Sequence, residues 1–353
     1  MNNHHYLKFR LPYVALAILL CIPLLACKMT NATNALPRNQ SLPLFKPHTP
    51  DFVCHVEATK VPPIDEQAEA WFSEARALEA PDRFEDPDYK KIVELTRQAA
   101  ERRHWKAMLN LASLYLEKRD PMHGVEDAVK LVEAAMQLGI PAAFDRMGTY
   151  HMNGTGVKAD ATRAYAFWQK AAEMGNPQAM TFLGDKLRAG EDGAIPGYWA
   201  NIPVAIKMLA CALGQGHGPA AYNLHYLYSV PRSAKGTVVG DRTPETKARA
   251  IKVLHEGVRL GCEECANELA IEFGSPSNLA NMLAPFIDKA RGERYGLLGD
   301  ELGFNPNNRF PNLDMVLPLP PADLPPWNGD RDTLLAAAMG VSLPLTPQKQ
   351  TPP

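Results

Sequence analysis

Cys262-Glu-Glu-Cys265 is the stretch of this 353-residue chain whose residue types most invite chemistry. Two thiols at that spacing suit disulfide exchange or half of a zinc site. Exchange needs a strand-to-helix setting, as in thioredoxin-like folds. Zinc needs a second pair of ligands at close spacing. The surrounding pattern is helical and no second pair lies nearby, so a structural disulfide or two buried thiols is the simpler reading. Other candidates fail similarly. His255-Glu256 lacks the second histidine that a zinc-protease helix carries one turn further on. "NGTGV" (153–157) is glycine-rich, yet its place between two helices is that of a turn rather than of a phosphate cradle. No Gly-x-Ser-x-Gly occurs, and no Ser/His/Asp set can be assembled. No catalytic residue, metal ligand or cofactor is assigned, and no small-molecule substrate is expected. The 37 basic and 39 acidic residues leave a net charge of −2, which argues against a nucleic-acid partner.

The cysteines depend on compartment, which the N-terminus addresses. Lys8 and Arg10 precede an apolar run from Leu11 to Leu25, broken only by Tyr13. That run is short for a membrane span of about 20 residues and fits the h-region of a signal peptide, residues 1–26. It ends in Leu24-Leu25-Ala26-Cys27, which resembles the bacterial lipobox. The resemblance implies that Cys27 becomes the first residue of the mature chain and carries acyl chains. Lys28 stands where an Asp would retain a lipoprotein in the inner membrane, so the same rules imply the periplasmic face of the outer membrane. Residues 27–51, rich in Asn, Thr and Pro, read as a lipidated tether. Export leaves Cys54, Cys211, Cys262 and Cys265, an even number in an oxidising compartment. Their three possible pairings stay open.

Behind these residues lies a repeat. "AAERRHWKAM" (99–108) and "AAEMGNPQAM" (171–180) are offset by 72, twice 36. "AMQLGIPAAF" (135–144) lies halfway between them. Looser copies are "ALGQGHGPAAY" (212–222) and "GVRLGCEECAN" (257–267). Gly139, Gly175, Gly216 and Gly261 each sit four residues before a small residue: Ala143, Ala179, Ala220 and Cys265. Each unit reads as helix, loop, helix, tight turn. Glycine at the turn supplies the left-handed backbone, and Pro141 and Pro177 open the next helix. Leu109, Ala112, Tyr115 and Leu116 line one helix at helical spacing, and Ala164, Phe167, Trp168 and Ala171 line another. A lone helix pair cannot bury such faces, so a period near 36 means a stack. The expected fold is all-α, a helix-turn-helix solenoid. Trp168, Tyr115 and Tyr150 then belong to its core, and Asp160 caps a helix.

The unit "LGIPAAFDRMGTYHMNGTGVKADATRAYAFWQKAAEMGNPQA" resembles a Sel1-like repeat, a relative of the tetratricopeptide repeat. That pattern is filled by Ala143, Gly148, Tyr150, Gly154, Gly156, Val157, Asp160, Ala164, Trp168, Lys170, Ala171, Ala172, Gly175 and Ala179. The resemblance extends over 105–275, with insertions "RAGEDGAIPGYWANIP" and "VPRSAKGTVVGDRTPE". Residues 52–104 are expected to supply an extended segment and a capping helix pair at 65–102. A second capping pair is expected at 278–301, within a 276–330 region that ends in an extended Pro-rich ribbon. A short helix and tail follow at 331–353. The ribbon, "PLPPADLPPW", should pack along the solenoid, because Phe304, Phe310, Leu313, Val316 and Leu319 need burial. The nine acids of 65–88 read as a solvated face or a docking patch for a basic partner.

Solenoids present extended surfaces that hold other proteins. "FVCHVEATKVPPID" (52–65) and "NLDMVLPLPPADLPPWNG" (312–329) resemble the ends of Gram-negative Sel1-like lipoproteins that finish in a domain of unknown function. That resemblance implies an immunity protein neutralising a type VI secreted lipase effector, with a membrane-anchored chain and a protein partner. A structural or regulatory scaffold of the envelope is the alternative; a hydrolase or redox enzyme is disfavoured. Candidate contacts are polar positions on the first helix of each unit: Asn110, Arg146, His151, Asp185, Arg188 and His225. For Arg146, an internal pair with a neighbouring acid is the competing reading.

Overall fold

The computed structural model describes residues 36–80, 86–188, 199–276 and 282–341. The chain divides into two units, Met1–Ser41 and Leu42–Pro353. In the first, the described residues hold one 3₁₀ turn, Pro37–Asn39. The signal peptide, Cys27 and most of the tether lie outside the described residues. No helix among the described residues is long and apolar enough to cross a membrane.

The second unit is a stack of helical hairpins. They are α1 (Glu66–Glu79) with α2 (Tyr89–Glu101), α3 (Trp105–Leu116) with α4 (Val125–Gln137), and α5 (Pro141–Asn153) with α6 (Ala161–Glu173). There follow α7 (Pro177–Arg188) with α8 (Ile202–Gly214), α9 (Ala220–Tyr228) with α10 (Pro244–Arg259), and α11 (Glu263–Gly274) with α12 (Lys289–Phe304). Two short helices close the chain, α13 (Leu313–Val316) and α14 (Arg331–Met339). Successive first helices touch, α5 on α7, α7 on α9 and α9 on α11. The fold is all-α among the described residues, apart from one isolated bridge between Arg232 and Val238.

The expected second capping pair at 278–301 is instead a single helix, α12, which packs along α11. The hairpins therefore run past 275. A close approach permits this, since a Cβ on Gly292 would lie 2.7 Å from the Gly274 Cα. The helix positions that the repeat assigned to the core are filled as expected: Tyr115, Tyr150 and Trp168 are buried, with Ala143, Ala179, Ala220 and Cys265.

Helix starts are fixed by side chains that accept from otherwise unsatisfied backbone N–H groups. Asp65, Asp88, Asp160 and Asp288 each do so for the helix they precede. Two caps are unusual. His104 Nδ1 accepts from Ala107 N at 3.1 Å to start α3, and Cys262 Sγ accepts from Cys265 N to start α11. The turns between hairpins use the left-handed backbone of Gly139, Gly175, Gly216 and Gly261. In the first turn Arg103 occupies the glycine slot, with φ 61°. A side chain there costs about 1 kcal/mol, so Arg103→Gly should raise stability by about 0.5–1 kcal/mol. A chemical denaturation midpoint that moves down on this substitution would refute the reading.

The ends of the second unit are strapped onto the stack. From the N-terminal side, the Phe45 ring meets Tyr165 and Trp199, each 5.4 Å between centroids. Lys46 N donates to Gln169, Asn201 Nδ2 donates to the carbonyls of Pro47 and Thr49, and Gln215 binds Glu57 N and the His55 carbonyl. A disulfide joins Cys54 to Cys211. Gly175 lets this strap lie against the turn, because a Cβ there would meet Glu57 N at 2.8 Å. The C-terminal ribbon is held differently. The buried Arg294 donates to the carbonyls of Val316 and Pro325, and Arg291 to that of Ala322. Phe310, Leu313, Val316 and Leu317 are buried beneath it, with Phe304 and Leu319 partly so. A His255 ring bridging the Tyr295 hydroxyl and the Asp314 carboxylate pins α13.

Candidate protein-binding groove

The first helices of the early hairpins share one face whose apolar residues, such as Leu109 and Phe72, meet the core while its polar residues stay at the surface. Where α1, α3, α5 and α7 run side by side, that face becomes a groove of about 470 Å³. Step 36 residues along the chain and the same wall positions return. Lys106, Ala142 and Gln178 share one register; Asn110 and Arg146 share another. Each lies just before, or three after, the small residue that seats its helix.

The groove is polar and rich in donors. Arg146 reaches across from α5 to donate to Ser113 Oγ at 2.6 Å. The Lys106 ammonium sits 5.6 Å from the centre of the Trp105 ring. Two buried donors, Trp105 Nε1 and Asn110 Nδ2, have no hydrogen-bond partner among the described residues. Two carboxyls sit among them. Glu57, brought in by the strap, accepts from Asn176 Nδ2 at 3.0 Å, and burial raises its pKa. Asp145 is pushed up to about 6, first by burial and then by Glu57, against the pull of Arg146.

Asp145 thus gives a pH signature. Its folded pKa lies above the ordinary 3.8, so between that value and about 6 the folded chain holds more protons than the unfolded chain. Its contribution to stability is present at the acid end of this window and is lost as the pH rises through about 6. Asp145→Asn should flatten that slope and stabilise the fold at neutral pH by about 1–2 kcal/mol, allowing for partial solvent screening. Melting curves across the window would show the slope unchanged if Asp145 were well solvated.

Comparison with known proteins gives the chain its relatives. The Sel1 repeat matches residues 133–176, and a domain of unknown function (DUF6396) matches residues 265–350. Among solved structures, immunity protein PA5088 from Pseudomonas aeruginosa is 33% identical, with a TM-score of 0.61; the match covers 77% of this chain and 95% of that one. Immunity protein Pa5087 from the same organism is also 33% identical, with a TM-score of 0.59, covering 76% and 95%. Pseudomonas aeruginosa PA5086 matches at 33% identity and a TM-score of 0.58, covering 77% and 96%. The chain belongs to the same family as these proteins, and it carries a Sel1 repeat. Among curated proteins nothing matches.

Within this Sel1-repeat framework the sequence-predicted contacts separate. Asn110 and Arg146 line the groove. Asp145 is the acid beside Arg146, yet the hydrogen bond that Arg146 makes is to Ser113. Asp185 and Arg188 lie further along, at the end of α7. There Arg188 Nε donates to Asp185 at 2.9 Å and to Asn223 at 3.1 Å, with its guanidinium 5.0 Å from the Tyr226 ring centre. The two histidines are core residues, a correction to the surface assignment. His151 is 3% exposed and stacks on Phe167. His225 is 1% exposed, bonds the Tyr222 carbonyl, and has its pKa lowered to about 4 by burial. Neither lines the groove.

Other assignments resolve in the same way. Of the acids at 65–88, Asp65 and Asp88 cap helices, Glu69 meets His104, Glu74 meets Lys91 and Glu79 meets Arg76. These pairs are internal, yet Asp65, Glu66, Asp86 and Asp88 remain exposed, so the face is solvated; Asp82 and Glu85 lie outside the described residues. Cys262 and Cys265 pair with each other and are wholly buried, so no thiol partner reaches them in the folded chain. Sequence reasoning missed Glu57, Trp105, Lys106 and Asp145. Three of the four sit one or two residues from a small helix-seating alanine, which was the available signal.

Proposed function

We propose that this chain is an immunity protein that binds and neutralises an antibacterial effector. The observation that carries the reading is the 33% identity over 95% of the length of two solved immunity proteins. The polar groove with two unsatisfied donors supports it, because it offers a binding surface without a catalytic set. The effector is a secreted phospholipase acting in the periplasm, and the chain meets it there while anchored to the outer membrane through Cys27. A solenoid needs only surface to occlude such an enzyme.

Deleting the gene while a neighbouring lipase gene stays intact tests the reading. Sister cells should poison one another, and the reintroduced chain should protect them. Healthy growth with disordered envelope complexes would instead establish a scaffold. Cys27→Ala should move the chain from the membrane fraction to the soluble periplasm with an unchanged melting curve. Retention in the membrane would refute the lipid anchor.

A further inference from the structure

The groove says what kind of segment it accepts. Lys106 and Arg146 project from adjacent helices, and neither makes an ion pair among the described residues. Trp105 and Asn110 line the same groove, and their Nε1 and Nδ2 atoms find no acceptor among the described residues. Buried donors left unmade are costly, and a charged acceptor returns most for them. Of the carboxyls near these groups, Glu57 is already engaged by Asn176, and Glu69 of α1 by His104 and Ser73. The Asp145 carboxyl makes no hydrogen bond among the described residues; the charges acting on it are Arg146 from α5 and Glu57 from the strap, and neutral Asn176 and Gln178 share its groove. Donors therefore outnumber free acceptors along the wall. Arg76, at the α1 edge, is already held by Glu79 and Asn307.

We propose that this groove receives an acidic segment of the partner polypeptide, whose carboxylates accept from Lys106, Arg146 and Asn110. This rests on the reading that the chain binds a protein. Lys106 and Arg146 supply the attraction, and Asn110 sets the depth at which a carboxylate seats. Trp105 Nε1 becomes satisfied once the bound segment shifts the Lys106 side chain off the indole. Asp145 opposes the occupant as an anion and helps it when protonated.

The test uses the purified chain and two probes, a short Glu-Ala repeat peptide and its Lys-Ala counterpart. The indole N–H resonance of Trp105, identified by its loss in Trp105→Phe, reports occupation directly. The Glu-Ala peptide should shift it and the Lys-Ala peptide should not. Lys106→Glu with Arg146→Glu should weaken binding about tenfold or more, and Asp145→Asn should strengthen it several-fold. Lys106→Gln alone, at an exposed position, gives the same direction should the double variant melt early. The proposal fails if the Lys-Ala peptide shifts the resonance instead, if neither does, or if Asp145→Asn abolishes binding. In the deletion strain, the charge-reversed chain should fail to protect sister cells. Protection by that variant overturns the groove as the effector site while leaving the immunity reading intact. A deletion strain that grows normally overturns the immunity reading, and the peptide result still decides the groove.

Discussion

Removing the Cys54–Cys211 disulfide should lower stability more than any other pair of surface-neutral changes. The bond closes a sequence separation of 157 residues. Chain-entropy reasoning for a loop of that size gives about 5 kcal/mol, and relaxation of the cut chain brings the expected loss to about 3–5 kcal/mol. Cys262–Cys265 spans a separation of 3 and should contribute about 2 kcal/mol by the same reasoning. The paired variant Cys54→Ser, Cys211→Ser should therefore melt far earlier than wild type. A reductant should bring wild type down at least to the oxidised variant, and should move the variant by no more than the about 2 kcal/mol of Cys262–Cys265. Equal melting of the oxidised and reduced chains would remove the strap from the stability argument. The loss also reaches the groove. Glu57 is held near Asn176 by the segment that Cys54 pins, so cutting the bond frees a carboxyl from the groove wall. Acidic-peptide binding in the cut chain should change along with the melting curve.

The stack was legible in the sequence because its cause is local. A small residue that lets one helix seat on the next, a glycine four residues before it and a helical apolar stripe all lie within one 36-residue window. Even the groove is partly written there. Asn110 and Arg146 stand three residues after Ala107 and Ala143, in the register that the core leaves uncovered. His151 and His225 misled because a polar side chain was taken as an outward one. His151 stacked on Phe167 and His225 tilted against Tyr226 show how an imidazole fills a core position as an aromatic disc. The missing information is long-range. Nothing around Cys54 announces Cys211, since the match depends on the strap crossing α6 and α8. Arg103 and His104 carried no turn or cap signal because neither is a usual residue for its place; the stack overrides local preference there. The same holds for α12. Its pairing with α11 is a consequence of Gly274 and Gly292 meeting across a long connection, and no periodic step of 36 predicts it.

Gly148→Val should cost at least about 3 kcal/mol, and Gly148→Ala about 1–3 kcal/mol, although alanine is the better helix former by about 1 kcal/mol. A Cβ at this position would lie 2.7 Å from both Cδ1 and Nε1 of Trp168. The indole has nowhere to retreat. It is held edge-on by Tyr165 at 5.3 Å and by Phe182 at 4.2 Å, so one ring locks α6 between α5 and α7. Trp168→Ala should cost about 3–5 kcal/mol by opening that seam. The two losses are not independent. In Gly148→Ala with Trp168→Leu, the smaller side chain yields to the new methyl, and the double variant should be more stable than the sum of the singles predicts by about 1 kcal/mol or more. Strict additivity in that cycle would mean that the ring does not rest on the glycine. Gly184, one period on, faces the flexible Leu209 at 2.8 Å, and Ala112, one period back, is already buried in the same register. Gly184→Ala should therefore be milder than Gly148→Ala. A graded series across the three hairpins would show that the spacing of the stack is set by the size of each residue pair, with Trp168 fixing the tightest step beside the groove.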